Sequence, residues 1–175
     1  SLDSVRSGGV VAFITSTGTL DKEDIKVRQM LAQKAELMGA VRLPNNAFQK
    51  NAGTQTSTDI IFLKKREKPL NISDMPMDKS CDWVHTKENA DGLKINSYFA
   101  DNPDMVLGNL SDNGRFGSIV CTPIQGADLK EQLHNAMKHI KGEYVPLEFQ
   151  QELDEKQTDL YLTATPDIEN LTYTV

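Results

Sequence analysis

At 175 residues, with 25 Asp and Glu against 19 Lys and Arg, the chain carries a net charge of -6. An acidic total excludes a broadly basic nucleic-acid-binding face and leaves room for a local basic patch only. No apolar run approaches the ~18 residues of a membrane span, and the N-terminus lacks the basic and apolar regions of a signal peptide.

Aromatic residues make up 6% of the chain. The mean hydropathy is -0.45. Both predict a modest core carrying much polar loop. The two cysteines, Cys81 and Cys121, lie far apart without a CxxC pair. They read as reduced, partly buried thiols of a cytoplasmic protein. His85, His134 and His139 have no zinc-ligand spacing with either cysteine.

Residues 1–6 read as the last turns of a helix, which suggests a cut chain. Gly8-Gly9 then breaks the chain before residues 10–14, VVAFI. Five consecutive apolar residues predict a central strand buried on both faces, as in a parallel sheet. Thr15, Ser16 and Thr17 would leave its end, either facing a ligand site or capping the next helix. Asp21 is placed to cap that helix, with Glu23 and Asp24 in its first turn. Val27, Leu31, Ala35 and Met38 form a buried stripe at helical spacing, and Gly39 fits the left-handed stop.

Residues 40–43 read as a short strand ended by Pro44. Residues 45–58 form a polar loop, longer than the usual ~4–6 residues. Residues 59–65 form the third strand. Lys64, Lys65, Arg66 and Lys68 close it, as a solvated strand end or as a phosphate-contacting patch.

Residues 69–94 shift to isolated apolar residues among Pro and Asp, which predicts a linker or irregular excursion anchored by Trp83. Residues 95–110 supply Tyr98, Phe99, Met105, Val106 and Leu107 as core candidates. Residues 118–122 read as a strand. Residues 127–141 are the clearest late helix, with Asp128 at its cap, an apolar stripe of Leu129, Leu133, Ala136, Met137 and Ile140, and Gly142 as its stop. His134 and His139 fall off that stripe and read as surface histidines. Residues 148–156 are acidic, a solvated helix or linker, and residues 160–163 and 171–175 alternate like short strands.

No GxGxxG, Walker A run, catalytic triad or paired-carboxylate spacing is readable. The segments RSGGVVAFITS, RQMLAQKAELMGAVRLPNNAF and NAGTQTSTDIIFLKK, in that order, resemble the second half of an S-adenosylmethionine-dependent adenine DNA methyltransferase domain. The likeness is to type I restriction–modification methylation subunits and to methylase domains fused to helicases in phage and mobile-element proteins. INSYFADNPDMVLGNL and GADLKEQLHNAMKHI resemble the segment that follows the methylase domain in the fused proteins.

The resemblance implies an α/β fold. Residues 10–14, 40–43 and 59–65 would be the fifth to seventh strands of a partial Rossmann-like methyltransferase sheet, with the seventh inserted antiparallel. An irregular α+β C-terminal extension would follow, giving divisions at 1–68, 69–94 and 95–175. It also implies that the loop after residue 44 walls a base pocket, since a base to be methylated is flipped out and stacked. Phe48 would stack there, or else pack under its own loop, and Asn51, Gly53, Thr54, Gln55 and Thr56 would line the wall. Lys64, Lys65 and Arg66 would touch DNA phosphates.

The family's glycine-rich turn and its Asn/Asp-Pro-Pro-aromatic tetrapeptide are not in this sequence. Asn102-Pro103-Asp104-Met105 lacks the second proline and the aromatic, and reads as a turn. The expectation is a fragment of a DNA adenine methyltransferase, inactive alone. S-adenosylmethionine would serve the intact parent and no cofactor the fragment. Its partners would be DNA, the upstream half of the same domain, and a second copy through an exposed sheet edge. The alternatives are a DNA- or protein-binding scaffold module of a larger helicase or methylase protein, and a small-molecule α/β enzyme.

Overall fold

A computed structural model describes residues 2–49, 56–74, 78–114 and 118–140. They form short helices and antiparallel sheets, an α+β arrangement. The elements in order are β1 (Val10–Ser16), α1 (Gly18–Asp21), α2 (Lys26–Lys34), β2 (Ala35–Leu43) and β3 (Thr58–Lys65). A 3-10 helix (Lys79–Val84) leads to β4 (Thr86–Glu88), β5 (Lys94–Asn96) and α3 (Ser97–Asp101). β6 (Asn109–Ser111), β7 (Val120–Thr122) and α4 (Leu129–Met137) follow.

The main sheet has the order β1–β3–β2, and both neighbouring pairs are antiparallel. Its parallel, Rossmann-like character is therefore not what the described residues present, although β3 does lie antiparallel between the other two. Residues 10–14 are not a central strand buried on both faces. β1 pairs with β3 alone among the described residues, and its burial alternates. Val10 is 47% exposed and Ile14 61% exposed, while Val11 and Phe13 pack against the core. A continuous apolar run does not say which of its faces the fold covers.

Gly8 and Gly9 do not simply precede this strand. Gly8 has φ 71°, its N–H donates to Lys65 O at 2.9 Å, and Lys65 N–H donates to Gly9 O at 2.8 Å. That is a glycine bulge seated in the β1–β3 ladder. A Cβ on Gly9 would lie 2.7 Å from Val5 Cγ1 and 2.9 Å from Arg6 O, so the close chain reversal needs glycine.

The helix expected to run to Met38 stops at Lys34, and Ala35 is extended with φ -148° and ψ 155°. The residues after Lys34 join β3 in register, from Ala35 opposite Lys65 to Leu43 opposite Thr58. A ladder with β3 outcompetes four more helical residues, 35–38. Gly39 sits beside a register shift of that ladder and is no helix stop. The buried face of α2 also differs from the expected stripe: Arg28 and Ala32 are buried and Val27 is exposed. Asp21 ends α1 and does not cap α2, which opens with Asp24 accepting from Lys26 N at 3.0 Å.

The region expected as a linker contributes core. The 3-10 helix buries Cys81, Trp83 and Val84, and Asp78 caps it by accepting from Ser80 N at 2.8 Å. The β4–β5 turn is held by Asn89 Oδ1, which accepts from Asp91 N and Leu93 N, with Gly92 at φ 76°. Asn96 caps α3 by accepting from Tyr98 N. Phe99, Met105 and Leu107 are buried in the same cluster as Ile61 and Leu63 of β3. The described residues lie in one compact unit, Ser1–Gly142.

α4 follows the expectation at its start, where Asp128 accepts from Lys130 N at 2.9 Å. Of its stripe, Ala136 is buried and Met137 is 39% exposed. His134 and His139 are exposed. The acidic segment at 148–156 and the strands expected at 160–163 and 171–175 lie outside the described residues. No helix among the described residues is long and apolar enough to cross a membrane.

Candidate functional site

The densest polar arrangement is one that sequence patterning does not reveal. Arg42 of β2 is fully buried. Its Nε and Nη2 donate to the two carboxylate oxygens of Asp59 on β3, at 2.8 and 2.9 Å. Its Nη1 donates to Asp21 Oδ2 at 2.7 Å, and the guanidinium lies 4.4 Å from the centre of the Phe99 ring. Asp21 Oδ1 in turn accepts from Asn96 N at 3.0 Å. Asn96 Nδ2 donates to Leu20 O and Trp83 O.

Burial opposes the Arg42 charge, but Asp59 and Asp21 outweigh it and hold the guanidinium protonated above its ordinary value. Nearby, the buried Arg28 donates to Val84 O at 2.6 Å and Lys22 O at 2.7 Å. Together the two arginines tie α1, α2, β2, β3 and the 3-10 helix, and Asn96 joins β5 to them through Asp21. The arginines' donors end on carboxylates and carbonyls of the fold itself, so the cluster is a structural clamp. The sequence clue was a charged residue inside an apolar strand, AVRL.

Of the residues expected at a base pocket, Phe48 and Thr56 are among the described residues. Phe48 is half-buried and packs against the core. Thr56 is exposed, and Asn51, Gly53, Thr54 and Gln55 lie outside the described residues. The two ends of this loop meet at Cys121: Asn45 N donates to Cys121 O at 2.8 Å. Ser57 Oγ accepts from Cys121 N at 2.8 Å and donates to Cys121 O at 3.2 Å. A cleft of about 330 Å³ beside it is lined by Pro44, Asn46, Gln49, Pro123 and Ile124 among others. Thr17 sits at the start of α1 without a side-chain cap, and Thr15 Oγ1 is buried without a partner.

The basic cluster is largely engaged within the fold. Lys65 Nζ donates to Asp3 O at 3.0 Å and Val5 O at 2.5 Å. Arg66 donates to Ala32 O, Glu36 Oε1 and Ser80 Oγ at 3.0, 2.7 and 2.8 Å. Lys64 is half-buried and lies between Val10 of β1 and Glu36 of β2.

Both cysteines are free and buried. Burial pushes the Cys121 thiol up to about 12. Among the described residues, no group of three or more His, Cys, Asp or Glu is placed to hold a metal ion. A second cleft, of about 390 Å³, lies between the β4–β5 turn, α3 and β6, with Asn89, Asp91, Phe99 and Asn109 in its wall.

The remaining feature is the free side of β1. It is a seven-residue strand without a charged residue. Its alternate side chains Val10, Ala12 and Ile14 are exposed, and one backbone edge has no partner strand among the described residues. Native proteins usually blunt such an edge with charge, proline or cover.

One curated relative shares part of this chain. Defense against restriction protein B of Escherichia phage P1 is 35% identical over 65 residues, which is 37% of this chain and 3% of that protein. The likeness therefore spans a small part of the relative. No family model matches the chain, and no solved structure matches it. These findings overturn the expected membership in the adenine DNA methyltransferase family. The relative is named for defence against restriction, not for methyl transfer.

Proposed function

We propose that this chain is a protein-docking module of a larger protein, and that a partner strand adds at the edge of β1. One observation carries the reading: an uncharged edge strand whose Val10 and Ile14 are 47% and 61% exposed. Strand addition draws affinity from backbone hydrogen bonds and specificity from alternate side chains, and β1 offers both. The partial likeness to Defense against restriction protein B supports treating the chain as one module of a longer polypeptide.

Of the two partner classes weighed from the sequence, protein is favoured over DNA. Lys65 and Arg66 already hold carbonyls, Glu36 and Ser80 inside the fold, and the chain is acidic overall.

Soluble peptides of alternating Thr and Val, labelled for fluorescence anisotropy, test the docking edge. Saturable binding by the wild-type chain that is lost in Ala12→Pro supports it. No binding, or binding unchanged in Ala12→Pro, overturns it. A salt-dependent affinity for duplex DNA that falls in Lys64→Ala favours the DNA class instead.

A further inference from the structure

We infer that the occupant of the β1 edge is a second copy of this chain, added antiparallel about a two-fold axis at Phe13; this rests on the docking reading above. The parity of the register follows from the glycine bulge, and full overlap of the seven-residue strand Val10–Ser16 then centres the axis on Phe13. Lys65 N–H donates to Gly9 O, so Gly9 points its carbonyl towards β3. The alternation of an antiparallel ladder then turns the backbone groups of Val11, Phe13 and Thr15 towards β3. Those of Val10, Ala12, Ile14 and Ser16 face the free edge.

With Phe13 on the axis, Ala12 of one copy lies opposite Ile14 of the other, and Val10 opposite Ser16. Each of these residues has its N–H and C=O pointing outward, so every facing pair exchanges hydrogen bonds. The same parity places the exposed Val10, Ala12 and Ile14 of both copies on one face, where two separate apolar stripes become continuous. A register displaced by one residue loses both properties.

The uncharged edge admits the same occupant. The chain carries -6 overall, which opposes association of two copies. Residues 7–20 contain no charged side chain, so the paired segments meet without like-charge contact. β1 also lacks the lysine or proline that guards an edge against its own kind.

Sedimentation velocity over a wide concentration range reads the oligomeric state. The expected result is a monomer–dimer equilibrium that Ala12→Pro weakens roughly tenfold or more, since it removes an outward N–H in each copy. Proline is tolerated where an edge N–H faces away from its own sheet. Ile14→Lys, at an exposed side chain, serves as the second variant and also weakens the dimer.

Register is read by cross-linking. A mixture of the Ala12→Cys and Ile14→Cys chains forms a disulfide dimer, because a hydrogen-bonded antiparallel pair spaces its Cα atoms by about 5.5 Å, within disulfide reach. Neither chain alone does so to the same extent. A monomer at every concentration, a dimer insensitive to both edge variants, or equal cross-linking by Ala12→Cys alone overturns the inference. Peptide binding that is lost in Ala12→Pro, combined with a monomeric chain, leaves the docking reading standing and removes this occupant.

Discussion

At the scale of single residues, Arg42 shows how a charge comes to hold a core. Three of its hydrogen bonds end on the carboxylates of Asp59 and Asp21, and Phe99 covers the guanidinium. Removing one member of such a buried pair strands the other in a medium that solvates it poorly. Arg42→Met is expected to cost about 3–5 kcal/mol in urea denaturation. Arg42→Met with Asp59→Leu is expected to recover much of that loss, because no unpaired charge remains at Asp59. Cys121 gives a pH dependence. Its folded thiol is raised to about 12 by burial, above the ordinary value of a free thiol. The fold therefore favours the neutral thiol. That contribution is fully present below about pH 9 and is lost as pH rises towards about 12. Iodoacetamide at pH 9 is expected to label Cys121 only after unfolding. Urea midpoints above pH 9 should fall more steeply in the wild type than in Cys121→Ala.

At the scale of elements, the end of β3 shows why a basic run is ambiguous in sequence. Lys64, Lys65 and Arg66 look alike as a string, but the ladder gives them different surroundings. Arg66 reaches across to Ala32, Glu36 and Ser80, and its side chain is 8% exposed. Lys64 sits on a half-buried strand position between Val10 and Glu36. Arg66→Ala is expected to lower stability by about 1–3 kcal/mol, the range for hydrogen bonds to a charged group. Lys64→Ala is expected to stay within about 0.5 kcal/mol, as most surface substitutions do. Equal effects of the two in thermal unfolding would contradict this placement. The junction of α2 and β2 teaches the same lesson. Leu31, Ala35 and Met38 keep helical spacing, but Ala35 already pairs with Lys65. Short-range periodicity lost there to a long-range ladder.

At the scale of the whole molecule, the core is shared by segments that composition separates. Residues 69–94 look like a linker because apolar residues are sparse, but Cys81, Trp83 and Val84 are the residues that pack. Their burial depends on the underside of the β3–β2 sheet, and no local pattern announces that surface. At the edge of the same sheet Val10 and Ile14 stay uncovered, and the proposed association at β1 rests on that exposure.

Several features were legible in the sequence because their causes are local. The strand character of residues 10–14 follows from β-branched composition, the Asp128 cap from the residue type before a helix, and buried free cysteines from their spacing. The antiparallel third strand expected from the family resemblance is present, although the family itself is overturned. Tertiary structure alone decided the rest. It made β1 an edge with one covered face, stopped α2 at Lys34, placed Arg42 against Asp59 and Asp21, and drew Lys65 and Arg66 inward. Each of these depends on partners distant in sequence, and hydrophobic period and residue type carry no information about which partner arrives.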